Sequence, residues 1–311
     1  MRCKICNNEE NNKLYTVKER MLNEGDSFRY MWCAHCGTLQ RIDEVENIGK
    51  YYAQSYEPFN KRSNQIWLPQ TIKKKYVQIM THVHLPEGIA FLMRGLGKSG
   101  LSNLYQSEIT TEATLLDVGA GNGTWGHQMA QLGFKNPVCV DKFYEGSIYK
   151  DIEFVKGEIF DLKDTYDIIT FHHAFEHMDA PRAILTKVRE MLSESGICII
   201  RIPVCGCEAW EEYHENWFQI DAPRHLFLYT EKAIGILCSE TGLRVEKICY
   251  DSMPSQFYIS KAYRDTGKSY SEIRRESGIL KKMRYCKKTF HANHTHRGDQ
   301  AIFYIRKEKQ K

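Results

Sequence analysis

At 311 residues the chain has room for about two domains, taking roughly 150 residues for each. An apolar share of 42% against 26% charge suits a packed interior and excludes a wholly disordered polymer. No stretch approaches the roughly 18 apolar residues of a membrane span, no apolar signal core follows Met1–Cys6, and a net charge of +4 neither demands nor forbids an anionic partner. The expectation is a cytoplasmic protein.

Eleven cysteines without an export signal read as reduced thiols rather than a disulfide framework. Four are organised: Cys3 with Cys6, and Cys33 with Cys36, form two CxxC knuckles, the second followed by Gly37. In such a knuckle backbone N–H groups turn toward sulfur, so four thiolates can face one tetrahedral zinc. The 26 residues between the pairs leave room for a hairpin, with Lys13–Lys18 and Ser27–Trp32 as its strands. The competing reading is burial of the thiols as small apolar groups. Closed four-cysteine sites stabilise a module and carry no chemistry.

Residues 41–110 read as irregular helix. Tyr51, Tyr52, Tyr56 and Phe59 cluster around Pro58 as a linker or pocket lid, Ile66–Met80 has helical spacing, and Ile89–Leu96 is an apolar patch among Gly95, Gly97 and Gly100. From Thr114 the pattern becomes regular. Strands are expected at Thr114–Val118, Pro137–Val140, Ile152–Val155, Tyr166–Phe171 and Gly196–Ile202, with helices at Trp125–Leu132 and Ala180–Leu192. Asp179 is placed to cap the second helix, with Pro181 in its first turn. A helix at Glu231–Thr241 and strands at Leu243–Tyr250 and Gln300–Arg306 follow. The alternation specifies an α/β fold: a doubly wound, mostly parallel seven-stranded sheet behind a small zinc-ribbon module. The expected division is a ribbon at 1–45, a helical linker or lid at 46–110, and a Rossmann-like domain at 111–311 with a basic helical insertion near 261–297.

Gly119, Gly121 and Gly123 directly after a strand let backbone approach a ligand at the mouth of such a sheet. Gly121, Gly123 and Gly126 match the dinucleotide fingerprint, and Asp141 lies where a ribose-binding acid belongs. That fingerprint is out of phase with the strand by two residues, and Asp117 would aim a carboxylate into the loop. It would repel a pyrophosphate by an energy on the order of several kcal/mol, and would attract an ammonium group. A nucleoside joined to a cationic amino acid, S-adenosylmethionine, fits that field; a dinucleotide is the rival.

The run Leu115–Gly123 resembles motif I of class I S-adenosylmethionine-dependent methyltransferases. Val138–Asp141 is similar to their acidic ribose motif, Glu158 and Ile159 stand where such enzymes hold adenine, and Tyr166–Phe171 with Glu176 and His177 resembles motif IV of ubiquinone-type members. The ribbon, together with Asp221–Leu226 after Trp217, is similar to bacterial methyltransferases that modify sugars and polysaccharides. The resemblance implies cofactor contacts from Asp117, Gly119, Gly121, Asn122, Gly123, Asp141, Glu158, Ile159 and, through its backbone, His172.

Methyl transfer needs an acceptor lone pair held roughly 3 Å from the sulfonium methyl, and a hydroxyl acceptor gains from a base. His225, beside Asp221, Pro223 and Arg224, is the preferred base, with His177 and His173 as further candidates. A histidine that ties two loops together is the structural alternative for His225, and helix capping the alternative for Glu176 and His177. Arg224, Trp217 and Tyr213 are candidate acceptor contacts. The resulting expectation is O-methylation of a small molecule, a sugar or sugar nucleotide, by a chain that can form a homo-oligomer. Two alternatives stay open: an RNA methyltransferase using the ribbon and the basic segment, and a non-catalytic adenosylmethionine-binding protein.

Overall fold

The computed structural model describes residues 1–52, 69–82, 104, 107–276 and 279–308. The expected features at Tyr56, Pro58, Phe59, 66–68 and the patch at 89–96 lie outside the described residues. The elements in chain order are β1 (Lys13–Lys18), β2 (Ser27–Trp32), β3 (Leu39–Arg41), α1 (Gln70–His82), β4 (Leu115–Val118), α2 (Thr124–Leu132), β5 (Val138–Asp141), β6 (Glu153–Lys156), β7 (Tyr166–His172), α3 (Pro181–Met191) and β8 (Leu192–Pro203). They continue with α4 (Glu208–Tyr213), β9 (Phe227–Leu228), α5 (Glu231–Glu240), β10 (Leu243–Tyr250), α6 (Ser255–Thr266), α7 (Tyr270–Glu276), α8 (Ile279–His294) and β11 (Gln300–Lys307).

Seven strands form one sheet in the order β10-β11-β8-β7-β4-β5-β6. The five from β8 to β6 run parallel, and β11 is antiparallel to both β8 and β10. The chain leaves β4 in one direction for β5 and β6, then crosses to β7 and β8 on the other side. The ligand crevice of an open sheet belongs at that reversal, outside the carboxyl ends of β4 and β7. Both faces of the sheet are covered, so the strands read as short apolar runs: every residue of β4 is buried. Helix α3 shows the complementary pattern, burying Ile184, Leu185, Val188 and Met191 along one stripe.

Several boundaries differ from the sequence reading. Asp179 does not cap α3; Ala180 holds the N-cap position without a side-chain hydrogen bond, and Pro181 occupies the first turn as expected. Strand β8 begins at Leu192 rather than Gly196, because the register with β7 already starts at Tyr166 opposite Leu192. The main departure concerns the N-terminal sheet, whose order is β1-β2-β3-β9. Its fourth strand comes from residues 227–228, with Leu39 opposite Leu228 and Gln40 opposite Phe227. Cys3, Ile5, Met31, Cys33 and Cys36 share a hydrophobic cluster with Ile184, Ala233 and Phe227. The first 45 residues therefore do not close a sheet or a core of their own.

The basic segment is less positive than its sequence suggests. Lys261 and Arg264 pair with Asp265, Lys268 with Glu276, Lys288 with Glu212, and Arg297 with Glu211. Charge tied up in local pairs leaves a weaker field for a phosphate backbone.

Candidate active site

The chain turns sharply out of β4. Gly119, Gly121 and Gly123 all take positive φ, at 69°, 57° and 80°. At Gly119 an added Cβ would lie 2.5 Å from the Ala174 Cβ, which has no rotamer by which to move away. Gly119→Ala is expected to cost about 2 kcal/mol or more in unfolding free energy, from left-handed strain plus overpacking. Chemical denaturation checks this, and an unchanged midpoint would remove the steric argument.

Beyond the turn lies a cavity of about 750 Å³. Asp117, Gly119, Gly121, Asn122, Asp141, Glu158 and Ile159 line it, together with His172, His173, His177 and His225. Asp117 is 2% exposed and accepts a 2.9 Å hydrogen bond from the Thr170 hydroxyl. Burial pushes its carboxyl up to about 7, with the Thr170 bond working the other way and the Asp141 charge adding to the rise. Asp141 is held by backbone donors: Gly121 N–H gives 2.8 Å to Oδ2 and Phe143 N–H gives 2.8 Å to Oδ1. Glu158 pairs with Lys142 at 2.7 Å. Asn122 spends its side-chain oxygen on the turn, accepting from the Thr124 amide and hydroxyl. Gly123 does not line the cavity; it is the left-handed N-cap of α2. The His172 ring packs against Trp125 at 4.3 Å between centroids, and desolvation holds it well below the usual imidazole range.

Three of these histidines, His173, His177 and His225, surround one buried carboxylate. Glu176 is fully buried; His173 Nδ1 lies 3.4 Å and His225 Nε2 3.9 Å from its Oε1. His225 Nδ1 meets the Gln219 carbonyl at 2.8 Å. A carbonyl only accepts, so Nδ1 carries a proton, and in the neutral ring Nε2 presents its lone pair. Asp221 Oδ2 stands 3.9 Å from the same Nε2. His177 Nδ1 lies 2.9 Å from the Arg224 carbonyl and 3.0 Å from the Tyr52 hydroxyl. His173 Nε2 faces Arg201 Nη1 at 2.6 Å. Burial alone would raise Glu176, but its histidine neighbours outweigh that and hold it below the usual carboxylate range. Glu176 is thus no exposed helix cap.

Three expected acceptor contacts do not line this cavity. Arg224 is 1% exposed and is a buried strut: its guanidinium pairs with Asp221 at 2.5 Å and Glu19 at 3.3 Å and donates to the Tyr51 carbonyl. Burial would raise Asp221, yet Arg224 draws it down to about 2. Trp217 donates its indole N–H to Asp299, and Tyr213 packs in the core under Arg264. Met21, Tyr52, Phe218, Gln219 and Tyr270 line the cavity instead. Of these only Tyr52 carried a sequence signal, through its aromatic neighbours. The others come from the hairpin, the turn after α4 and the basic segment, and nothing local in the chain marks them.

The N-terminal sheet holds the His225 loop directly. Tyr30 Oη donates to the His225 carbonyl at 2.9 Å, and the Arg41 amide to the Leu226 carbonyl at 2.9 Å. Within the sheet's loops, Cys3 Sγ lies 3.6 Å from Cys36 Sγ and Cys6 Sγ 3.5 Å from Cys33 Sγ. All four sulfurs lie within 4.8 Å of one another, and the Ile5 amide donates to Cys3 Sγ. Tetrahedral Zn–S bonds of about 2.3 Å imply sulfur separations of about 3.8 Å, so this donor set fits zinc.

A reversed parallel sheet with an antiparallel last strand, and a glycine turn facing a buried acid at its mouth, define a class I S-adenosylmethionine-dependent methyltransferase. Residues 94–248 match the family model described as a methyltransferase domain, and the chain carries that domain. Solved structures similar to it include a methyltransferase of Bacillus halodurans C-125 at 15% identity, covering 65% of this chain and 95% of that one with a TM-score of 0.43. Another is a Thermotoga maritima methyltransferase described as a possible histamine N-methyltransferase, at 13% identity, 77% and 97% coverage and a TM-score of 0.45. A third is an O-methyltransferase of a Brevibacillus brevis trans-AT PKS multienzyme in complex with S-adenosyl-L-homocysteine, at 13% identity, 75% and 79% coverage and a TM-score of 0.44. No curated protein matches the chain significantly. No helix among the described residues is long and apolar enough to cross a membrane.

Proposed function

We propose that this methyltransferase transfers a methyl group to a hydroxyl of a small polar acceptor, a sugar or sugar nucleotide. The observation that carries the reading is one cavity joining the acidic, glycine-lined turn at Asp117 to the histidine cluster at His225. S-adenosylmethionine, when bound, supplies an electrophilic methyl on a sulfonium. Asp117 would take its ammonium group, Asp141 its ribose hydroxyls, and Glu158 and Ile159 would flank its adenine. Tyr52, Phe218 and Tyr270 offer aromatic faces, and Gln219 and Asp221 offer polar atoms, a mixture suited to a hydroxylated ring. His225 Nε2 accepts the acceptor's proton, and the carboxylates of Glu176 and Asp221 favour the imidazolium that results.

The pairing of five basic residues with nearby acids supports a small acceptor over RNA. Cys3, Cys6, Cys33 and Cys36 would hold a structural Zn²⁺ that fixes the hairpin against the His225 loop. For His225→Ala we expect turnover with hydroxylated acceptors to fall by about 10²- to 10⁴-fold, with S-adenosylmethionine affinity changed less than about twofold. Labelled-methyl transfer and calorimetry measure the two quantities. Turnover that survives the substitution would end this role for His225.

A further inference from the structure

We infer that Glu176, His177 and His225 form a second metal site, for a divalent transition ion, separate from the four cysteines. A ligating atom of each residue lies within 4.8 Å of the other two. Glu176 is wholly buried, and neither of its oxygens receives a well-directed hydrogen bond among the described residues. Its nearest cationic candidate is His173 Nδ1, 3.4 Å away. A buried carboxylate in that position calls for positive charge beside it. The imidazoles are set up as ligands, because His225 and His177 each turn Nδ1 to a backbone carbonyl, of Gln219 and Arg224 respectively. Anchoring one ring nitrogen on a carbonyl is the usual outer support of a metal-bound histidine. The second carboxylate, Asp221 Oδ2, stands 3.9 Å from His225 Nε2 and deepens the negative field.

Two imidazoles and one carboxylate select zinc, cobalt, nickel or copper over magnesium or calcium. The inference rests on the proposed role of His225, since the lone pair that would bind the ion is the one that accepts the acceptor's proton. Metal and proton therefore compete, and occupancy of this site switches transfer off.

The test is equilibrium dialysis of the full-length protein against Zn²⁺, followed by metal analysis and a labelled-methyl assay. The inference expects two zinc ions per wild-type chain and one in Glu176→Gln, with His225→Asn as the second variant should the first fold poorly. Circular dichroism and retained S-adenosylmethionine binding establish folding. Wild-type turnover should fall about tenfold or more as the second equivalent fills and recover when dialysis returns the protein to one zinc per chain, and Co²⁺ in that site should show no thiolate charge-transfer band. One zinc per wild-type chain, or a second equivalent retained by both variants, overturns the inference and leaves the acceptor reading standing. Loss of turnover with every hydroxylated acceptor would instead strike the acceptor reading, while the metal count would still decide this one.

Discussion

Asp117→Asn is expected to weaken S-adenosylmethionine binding by about 100-fold or more near pH 8. A buried carboxylate facing an ammonium gives a pair of low screening, and removing one partner of such a pair costs about 2–5 kcal/mol. Asn preserves shape and can still accept from the Thr170 hydroxyl, so the change isolates the charge. The pH dependence follows from a carboxyl raised to about 7. Above that value the ionised form binds the ammonium; below it, protonation removes the attraction and affinity falls by about tenfold per pH unit. Affinity in the variant should be flat over the same window.

Stability moves in the opposite direction. A carboxyl raised from 3.8 to about 7 in the folded state binds its proton more tightly there than in the unfolded chain, so stability drops as pH climbs through that interval. At pH 8 the Asn variant without cofactor should unfold at a higher temperature than wild type. Tight binding by an unfolding-resistant Asn variant would show that the ammonium docks elsewhere. The trade of stability for binding is what a functional buried charge produces.

Removing zinc from the four-cysteine cluster, by chelation or by Cys33→Ser, is expected to lower turnover by about 100-fold and the thermal midpoint by about 10 °C. Much of a structural zinc site's binding free energy is folding free energy. The hairpin that zinc would secure is joined to the loop around His225 by several routes. These are the β3–β9 pairing, the Tyr30 bond to the His225 carbonyl, the Glu19–Arg224 ion pair and the Thr230 hydroxyl on the Cys36 carbonyl. Loosening them moves His225 and Arg224, while the Asp117 turn sits on the parallel sheet and keeps more of its cofactor affinity. Zinc content followed alongside turnover and calorimetry separates the two ends. Full turnover in zinc-free protein would rule out the coupling.

Much of the cofactor end was legible in the chain itself. The Gly119–Gly123 turn, Asp117 at the end of β4 and Asp141 at the end of β5 lie in a short stretch where strand, turn and charge follow local rules. The two knuckles and the strands at Lys13–Lys18 and Ser27–Trp32 were likewise set by spacing and alternation. The acceptor end was not legible in this way. Nothing local in the sequence shows that the charge of Arg224 is spent on Asp221 and on Glu19, 205 residues away. Trp217 gives its indole N–H to Asp299, and Glu176 meets His225 only after the chain has folded across the sheet.

Local spacing determines which residues turn, pair and alternate, so the sequence by itself settled the nucleotide-binding framework and the cysteine cluster. Which charges are desolvated and neutralised depends on partners that only tertiary packing brings together. The tertiary structure alone therefore decided that Arg224 is a strut, that β9 closes the N-terminal sheet, and that the buried Glu176 carboxylate lies among His173, His177 and His225.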